Sequence, residues 1–302
     1  MPFILKKYYL DTEEKALLFL IRTLGYSQRE AQRFIAIGRL FVDDTVITKS
    51  TDVIKGELGF VCFEPQSRGL YPTFQTDEFA VFDKPSGIMV HPQNRYTPYS
   101  LIDEIKFQFG MDANITHRID QETSGLVLAS KNKKSERILK MMFENREMHK
   151  RYVAMVHGHV SRETKITMPL LRKKDNSAIV RMVVKVHDSG KPSETTIRPL
   201  KYFKELNMTL VEAEPLTGRQ HQIRVHLFHV KHPIVGDPIY GQQERDVVRF
   251  LDREISEKER IIKSGANRLL LHASQLNYTY KGNFYSIHTK IDFLKEAFAA
   301  MQ

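Results

Sequence analysis

The chain has 302 residues, of which 41% are hydrophobic, so it is long enough to form one large domain with a hydrophobic core and one small domain. Its 46 Lys and Arg outnumber its 36 Asp and Glu, and the net charge of +10 favours a polyanionic partner such as nucleic acid over an acidic small molecule or a membrane surface. The single cysteine, Cys62, excludes an internal disulfide framework and a CxxC zinc site.

The sequence also lacks the signals of membrane insertion and of common cofactors. It has no apolar run long enough to span a bilayer, and the N-terminus MPFILKKYYLDTEE has too few apolar residues before its lysines for a signal peptide. There is no Walker-type phosphate loop and no GxGxxG motif. We therefore expect a cytosolic monomer that uses no cofactor and binds no membrane.

The first 63 residues predict two helices followed by a small sheet. Thr12 can cap a helix that runs through Leu24, and Ser27 can cap a second helix, SQREAQRFIAIG, which Gly38 closes. Three short β-rich runs separated by turns follow in RLFVDDTVITKSTDVIKGELGFVCFE.

This segment resembles the alpha-L RNA-binding domain of the ribosomal S-four type across residues 8–63. SQREAQRFIAIGRLFVDDTVITKSTDVIKGE has that module's order of a Ser-started basic helix, a Gly-Arg break and a Lys-Gly-Glu turn. Arg29 and Arg33 are i,i+4 neighbours on the second helix, so they can face one way and contact RNA. The alternative is an ordinary solvated helix face.

Residues 64–78, EPQSRGLYPTFQTDE, are mostly polar and contain two prolines, which predicts a linker between domains at 1–63 and 79–302. After the linker, strand-like runs outnumber helical patterns. This favours an α+β domain with a mixed, largely antiparallel sheet, flanking helices and a central cleft. The predicted strands are residues 79–85, 114–120, 125–130, 150–158, 178–187, 195–203, 208–215 and 268–280, and the predicted helices are 100–109, 132–145, 219–230 and 244–263.

Polar residues with chemical potential lie at the ends of several predicted strands. Asp120 follows a strand in THRIDQETSGLVLASKN and could be a turn residue, a metal ligand or a nucleophile. Tyr152 begins a strand in KRYVAMVHG and could simply pack on the sheet. Arg219 precedes a predicted helix in PLTGRQHQIRVHLFHVKHPIVGDPIYG and could meet an anion there. Four histidines follow at 221, 226, 229 and 232, but their spacing fits no familiar metal site, and we expect no metal.

Together these stretches resemble the RluA-type pseudouridine synthases across residues 79–280. HRIDQETSGLVLASKN is similar to the family's central His-Arg-Leu-Asp motif with its Thr-Ser-Gly turn. DKPSGIMVHP, HKRYVAMVHG, TGRQHQIRVHLFHVKHPIVGDPIYG and RLLLHASQLNY resemble the other motifs in their order. The resemblance implies isomerisation of uridine in RNA to pseudouridine, in which the N1–C1′ bond breaks and the ribose is rejoined to C5.

The resemblance also implies roles for individual residues. Asp120 would be the catalytic carboxylate, attacking C1′ or the uracil ring or taking a ribose proton. Arg219 would grip that carboxylate, and Tyr152 would lie against the uracil and could handle the C5 proton. The nucleotide must be extruded, so Arg118 would help to fill the vacated place while His117 orients the loop. The candidate phosphate contacts are Lys84, Arg172, Lys173, Lys174, Arg181 and Lys185, each of which could also be ordinary surface charge.

Two other functions stay open at this point. The chain could be an RNA-binding or ribosome-assembly factor that has lost catalysis, or a nucleoside hydrolase or glycosidase using Asp120 and Glu122 as a carboxylate pair. The basic charge fits the hydrolase poorly. The RluA-type resemblance, together with the N-terminal module, favours large-subunit ribosomal RNA over transfer RNA as the substrate.

Overall fold

The computed structural model describes residues 2–174 and 182–302, and they form two compact units. The first contains Met1–Ser67 with Pro92–Tyr99, and the second contains Arg68–His91 with Ser100–Gln302. The division at Ser67 lies inside the predicted linker, whereas the grouping of Pro92–Tyr99 with the first unit is not predicted by the sequence. Arg181 and the first part of the predicted strand 178–187 lie outside the described residues, as do the side chains of Lys173 and Lys174.

The first unit is a four-stranded sheet, in the order β1-β4-β2-β3, with two helices. Its elements are β1 (Phe3–Lys15), α1 (Ala16–Arg22), α2 (Gln28–Ala36), β2 (Leu40–Val42), β3 (Thr45–Ile47) and β4 (Val53–Phe63). The core between helices and sheet is formed by fully buried apolar residues such as Phe19, Leu20, Ile35, Leu40 and Phe60.

The sequence predicts one of the two helix starts in this unit correctly and the other wrongly. Ser27 caps α2 as predicted, because its side chain accepts the Glu30 N–H while the Glu30 carboxylate reaches back to Ser27. The predicted start at Thr12 is wrong, since Thr12 lies in β1 and the first helix begins at Ala16. Strand β1 pairs with β4 over most of its length, and this long-range pairing overrides a local capping signal.

The second unit is built on a ten-stranded sheet with the path β10-β13-β14-β9-β15-β8-β6-β5, to which β16 and β7 add at β15 and β8. Its elements are β5 (Phe74–Gln75), β6 (Phe79–Lys84), α3 (Leu101–Phe109), β7 (Asn114–Ile115), β8 (Ser124–Ser130), α4 (Lys133–Glu144), β9 (His149–His157), β10 (Thr164–Ile166), β11 (Leu170–Lys174), β12 (Met182–Val186), β13 (Thr195–Phe203), a 3-10 turn (Lys204–Leu206), β14 (Met208–Pro215), α5 (Gln222–His229), α6 (Glu244–Leu251), α7 (Glu257–Ser264), β15 (Leu271–Tyr280), β16 (Asn283–His288) and α8 (Phe293–Ala300). Strands β11 and β12 form a separate two-stranded sheet.

The predicted α+β class with a mixed, largely antiparallel sheet is confirmed. Strands β15 and β8 run parallel, and the other strand pairs of this sheet within the described residues are antiparallel. The helix predicted over 244–263 is two helices, because Arg253 takes a left-handed φ of 62° and Ser256 caps α7. The strand predicted over 114–120 ends at Ile115, and the rest is the loop that carries Asp120.

The register of the sheet places one row of residues across five neighbouring strands. Ala213 pairs with Tyr152, Tyr152 with Ala273, Ala273 with Gly125, and Gly125 with Lys84. A Cβ on Gly125 would lie 2.4 Å from the backbone N and O of Ala273, and its φ is +107°, so the close approach of β8 to β15 requires glycine. The row therefore fixes where the loop before β8 meets the start of β9.

None of the helices in the described ranges is both long and apolar enough to cross a membrane.

Candidate active site

A cleft of about 780 Å³ in the second unit is lined by the loop before β8, the end of α4, the start of β9 and the segment leading into α5. Five residues predicted from the sequence line it together: Asp120, Tyr152, Arg219, Arg118 and His117. With Leu271 of β15, the cleft thus collects side chains from five separate stretches of the chain.

Asp120 contacts a buried arginine on α5. Arg224 is only 2% exposed, and its Nη1 lies 3.4 Å from Asp120 Oδ2. Its Nε and Nη2 donate to Asp237 Oδ2 and Oδ1 at 2.7 and 2.8 Å, which is the two-pronged geometry that suits a guanidinium. Burial would lower the pKa of Arg224, but the charges of Asp237 and Asp120 raise it, so the guanidinium stays positive.

Asp237 is itself held in place, because its Oδ1 also accepts the N–H groups of Ile239 and Tyr240 at 2.9 and 3.0 Å. The Arg224 guanidinium carbon lies 5.1 Å from the centre of the Tyr240 ring. The segment VGDPIYG, none of whose residues is predicted from the sequence to belong to the site, therefore positions Arg224.

The structure corrects the predicted role of Arg219. Its Nε donates to the Pro192 carbonyl at 3.3 Å and its backbone N–H donates to Gln222 Oε1 at 3.0 Å, while Arg224 occupies the place beside Asp120. The stretch TGRQHQIRVH contains both arginines, but only the second lies on the buried helix α5. An arginine between Ile223 and Val225 was the available sequence signal, since a buried arginine needs a carboxylate partner.

His221 also lies beside Asp120, with Nε2 at 3.8 Å from Oδ2. The Tyr240 hydroxyl donates to the Val184 carbonyl, so Nδ1 of His221, 2.9 Å from that hydroxyl, is the donor of their hydrogen bond. Burial and the charge of Arg224 lower the pKa of His221 to about 4. His221 is thus neutral near pH 7.

Tyr152 is buried to 9% exposure near the start of β9. Burial and the charge of Asp120 raise the pKa of Tyr152, so the phenol stays protonated. Lys150, two residues earlier, also lines the cleft, and burial lowers its pKa.

His117 and Arg118 differ in their surroundings. The Nε2 of His117 accepts the Leu128 N–H at 3.0 Å, and the ring stacks on Phe143 with centroids 4.3 Å apart. Burial lowers the pKa of His117 to about 3, so a neutral ring attaches the loop to β8. Arg118 is exposed at the cleft.

Lys84 is not available for a phosphate contact, and that prediction is wrong. The residue is fully buried, and its Nζ donates to the carbonyls of Pro85, Ile88 and Gln121 at 2.9, 2.8 and 3.1 Å. Burial lowers its pKa to about 7. Lys84 therefore ties the turn after β6 to the residue that follows Asp120.

A chain of hydrogen-bonded polar side chains also holds the end of the Asp120 loop, where β8 begins. None of these side chains is predicted from the sequence to belong to the site. Ser124 Oγ lies 2.9 Å from Nδ1 of His272, and Nε2 of His272 lies 3.0 Å from Thr289 Oγ1. Thr289 donates to the Asp83 carboxylate, so the His272 Nε2–H donates to Thr289 and Nδ1 accepts from Ser124. Burial lowers the pKa of His272 to about 4.

The two carboxylates of the hydrolase alternative have different partners. Glu122 accepts a hydrogen bond from Arg260 at 2.6 Å, whereas Asp120 lies beside Arg224. Within residues 2–174 and 182–302, no group of three His, Cys, Asp or Glu side chains could hold a metal ion.

The remaining predicted RNA contacts that the structure describes are exposed. On α2, Arg29 and Arg33 are exposed while Ala31 and Ile35 are buried. Arg172 and Lys185 are exposed on the β11-β12 sheet.

The sequence matches a known enzyme family. The family model described as RNA pseudouridylate synthase matches residues 78–229, and the chain belongs to that family. It is 37% identical over 287 residues to an uncharacterized RNA pseudouridine synthase of Helicobacter pylori, a match that covers 95% of this chain and 94% of that protein.

Two Vibrio proteins are also similar. The ribosomal large subunit pseudouridine synthase C of Vibrio cholerae is 34% identical over 68% of this chain and 60% of its own length. The dual-specificity RNA pseudouridine synthase RluA of Vibrio parahaemolyticus is 33% identical over 74% of this chain and 84% of its own length. The resemblance to RluA-type synthases is therefore confirmed, and the protein is an isomerase that acts on RNA.

The buried His272 makes stability depend on pH. Its pKa falls from the usual 6.5 to about 4 in the folded chain, so the unfolded chain binds this proton first as the pH falls. The neutral His272 therefore stabilises the fold fully above pH 6.5, the pKa of the unfolded chain. As the pH falls from there toward about 4, the free energy of unfolding decreases by about 1.4 kcal/mol per pH unit. We expect the unfolding free energy of His272→Gln, measured in urea, to fall less steeply than the parent's over this window.

Above about pH 7 the curves of the parent and His272→Gln should run parallel, because His272 is then neutral in both states, and this range is the internal control. Equal slopes in the acid window would contradict a buried neutral His272.

Proposed function

We propose that this protein converts specific uridines of large-subunit ribosomal RNA to pseudouridine, with Asp120 as the catalytic carboxylate. The observation that carries the proposal is the contact between Asp120 and the buried Arg224 in a cleft also lined by Tyr152. The carboxylate is 26% exposed at its side chain, so a nucleotide entering the cleft can reach it.

The reaction exchanges one bond to C1′ for another. The N1–C1′ bond breaks, the base turns, C5 bonds to C1′, and the C5 proton leaves while N1 gains a proton. Asp120 can take part by attacking C1′ or the ring, or by taking a ribose proton, and each route needs it ionised. Arg224 supplies a fixed positive charge 3.4 Å from this carboxylate.

Tyr152 is suited to packing against uracil and poorly suited to acting as a base. A phenol whose pKa is raised by burial and by Asp120 keeps its proton near pH 7. We therefore propose that the C5 proton leaves to water or to Asp120 while the Tyr152 ring holds the base. Ala213 and Ala273 pair with Tyr152 on the neighbouring strands and are buried with it in the core.

The target nucleotide has to leave its stack to reach this cleft, which is unfavourable by a few kcal/mol. We propose that Arg118, exposed at the cleft, fills part of the vacated place. Half-buried Lys150 and Arg219 are placed to meet the phosphates of the extruded nucleotide.

The choice of ribosomal RNA is supported by two observations. A similar protein is named as a ribosomal large subunit pseudouridine synthase, and the first unit carries two exposed arginines on a capped helix, as an S-four-like RNA-binding module would. Action as a cytosolic monomer is part of the same proposal. Transfer RNA is the second candidate, because another relative is named for dual specificity.

Asp120→Asn tests the reaction and the substrate together. The parent should release tritium from large-subunit ribosomal RNA labelled at C5 of uridine, and Asp120→Asn should release less than about one-thousandth as much, because the amide cannot act as a nucleophile or base. RNA binding by the variant, measured by filter binding, should stay within about threefold of the parent. Release from transfer RNA alone would contradict the ribosomal substrate, and free uracil would indicate a hydrolase.

Arg224 and Arg219 should respond differently to the same substitution. Arg224→Gln removes the cation beside Asp120, so kcat should fall by about a hundredfold or more, whereas Arg219→Gln should mainly raise KM. Arg224→Lys keeps a charge without the two-pronged grip and should be intermediate. Thermal unfolding of each variant shows whether enough folded protein remains, and equal kcat losses at both positions would contradict the assignment.

Replacing Arg29 and Arg33 together with Gln tests the RNA-binding role of the first unit. Affinity for structured RNA should fall, and the slope of log Kd against log salt should become shallower by about 1.5 to 2, because two phosphate contacts are lost. Turnover of a short minimal RNA should not change. Arg22→Gln, at an exposed arginine of α1, is the matched control, and an equal effect of both changes would contradict a specific role for the pair.

A further inference from the structure

We propose that Arg260 on α7 is a positioning residue for the Asp120–Arg224 pair. It holds two loops: the one that carries Asp120 and the one that carries Asp237, the partner of Arg224. The inference rests on the proposed function, since it concerns the geometry of that pair. The sequence predicts the segment around Arg260, ERDVVRFLDREISEKERIIK, as a solvated helix without a functional role.

One nitrogen of Arg260 contacts both loops. Its Nη2 donates to Glu122 Oε2 at 2.6 Å and to the Gly236 carbonyl at 3.0 Å. Glu122 lies two residues after Asp120, and Gly236 immediately precedes Asp237, which holds Arg224. Arg260 therefore links the segment that follows Asp120 to the segment that precedes Asp237.

The contact is mostly shielded from water, which strengthens it. The side chains of Arg260 and Glu122 are 13% and 16% exposed, while Glu257 and Lys258 on the same helix are exposed. Charge-assisted hydrogen bonds are stronger and more directional than neutral ones, more so where water is excluded. The guanidinium also lies over the Phe250 ring of α6 at 4.9 Å, so both helices of the segment support its position.

The Gly236 loop is fitted closely to the end of α7. The Gly236 N–H donates to the Ser264 carbonyl at 2.7 Å, and a Cβ on Gly236, whose φ is +77°, would lie 1.8 Å from the Arg268 carbonyl oxygen. Gly236 is thus held at both its backbone groups: its N–H binds Ser264, and its carbonyl binds Arg260. A shift of α7 would therefore move Asp237, and Arg224 with it.

Arg260 also balances the charge of a carboxylate near Asp120. Glu122 is the carboxylate closest in sequence to Asp120, and the charges of both act on Lys84, so they share one neighbourhood. Without Arg260, Glu122 would be a largely buried anion that has lost its charged partner. Pairing it with Arg260 therefore stabilises the chain two residues after Asp120.

The kinetic test uses Arg260→Gln, Arg260→Lys, Glu122→Gln and the double variant Arg260→Gln/Glu122→Gln. Arg260 and Glu122 are not among the described residues that line the cleft, so Arg260→Gln should lower kcat by about tenfold or more with KM within about twofold of the parent. Arg260→Lys should recover part of the loss. The double variant should be no slower than Arg260→Gln, because the two residues act through one contact.

Arg249→Gln is the matched control. Arg249 belongs to the same pair of helices and contacts Glu259 at 3.1 Å, away from both loops. Its kcat should stay within about twofold of the parent, although its Tm can fall. A kcat loss in Arg249→Gln equal to that of Arg260→Gln would overturn the proposal, because it would show only that the helices need stability.

Amide hydrogen exchange tests the same contact without relying on turnover. The Thr123 N–H donates to the Asp120 carbonyl at 3.2 Å and the Tyr240 N–H to Asp237 at 3.0 Å. In Arg260→Gln the segments around both amides should exchange about tenfold faster, and in Arg249→Gln they should not. Unchanged exchange in either loop, or faster exchange with unaltered kcat, would overturn the proposal. If the parent protein formed no pseudouridine, the proposed function would be refuted. Hydrogen exchange alone would then test whether Arg260 holds the two loops.

Discussion

The catalytic unit depends on one buried cation. Taking the Arg224 guanidinium out of water is unfavourable by several kcal/mol unless carboxylates compensate for it. Asp237 provides most of that compensation through two hydrogen bonds, and Asp120 completes it. The loops that carry these carboxylates must therefore meet at α5. The sheet register achieves this by bringing β14, β9, β15 and β8 side by side at the row that contains Tyr152.

The two carboxylates of Arg224 are held very differently, and the difference fits their roles. Asp237 accepts four hydrogen bonds, including two from backbone N–H groups, and its side chain is 1% exposed. Asp120 has one long contact of 3.4 Å to Arg224, and its side chain is 26% exposed. A carboxylate with its lone pairs occupied is a poor nucleophile or base, whereas one that is loosely held can react. Asp237 therefore fixes the arginine, and Asp120 remains available to the nucleotide.

The sequence predicts those parts of this molecule that depend on local signals. The capping box at Ser27 and most of the strands of the second unit follow from residues near each other in the chain. Prediction from the sequence fails where a residue's structure depends on contacts with residues far away in the chain. Thr12 lies in a strand that pairs with β4 on either side of it, at Leu10 and Glu14. Lys84 is buried because carbonyls from two turns surround its Nζ. Motif order pointed to Asp120, but choosing between Arg219 and Arg224 required knowing which one faces Asp237.

Three ring side chains near Asp120 do not change charge near neutral pH. Burial holds His117 and His221 neutral, and it keeps the phenol of Tyr152 protonated. A polyanionic substrate would tend to draw protons onto exposed histidines near it, because a nearby negative charge favours the protonated ring. Burial opposes that protonation at His117 and His221, so RNA entry does not place a new positive charge on either ring. The contact between Asp120 and Arg224 therefore does not depend on the protonation of these two histidines.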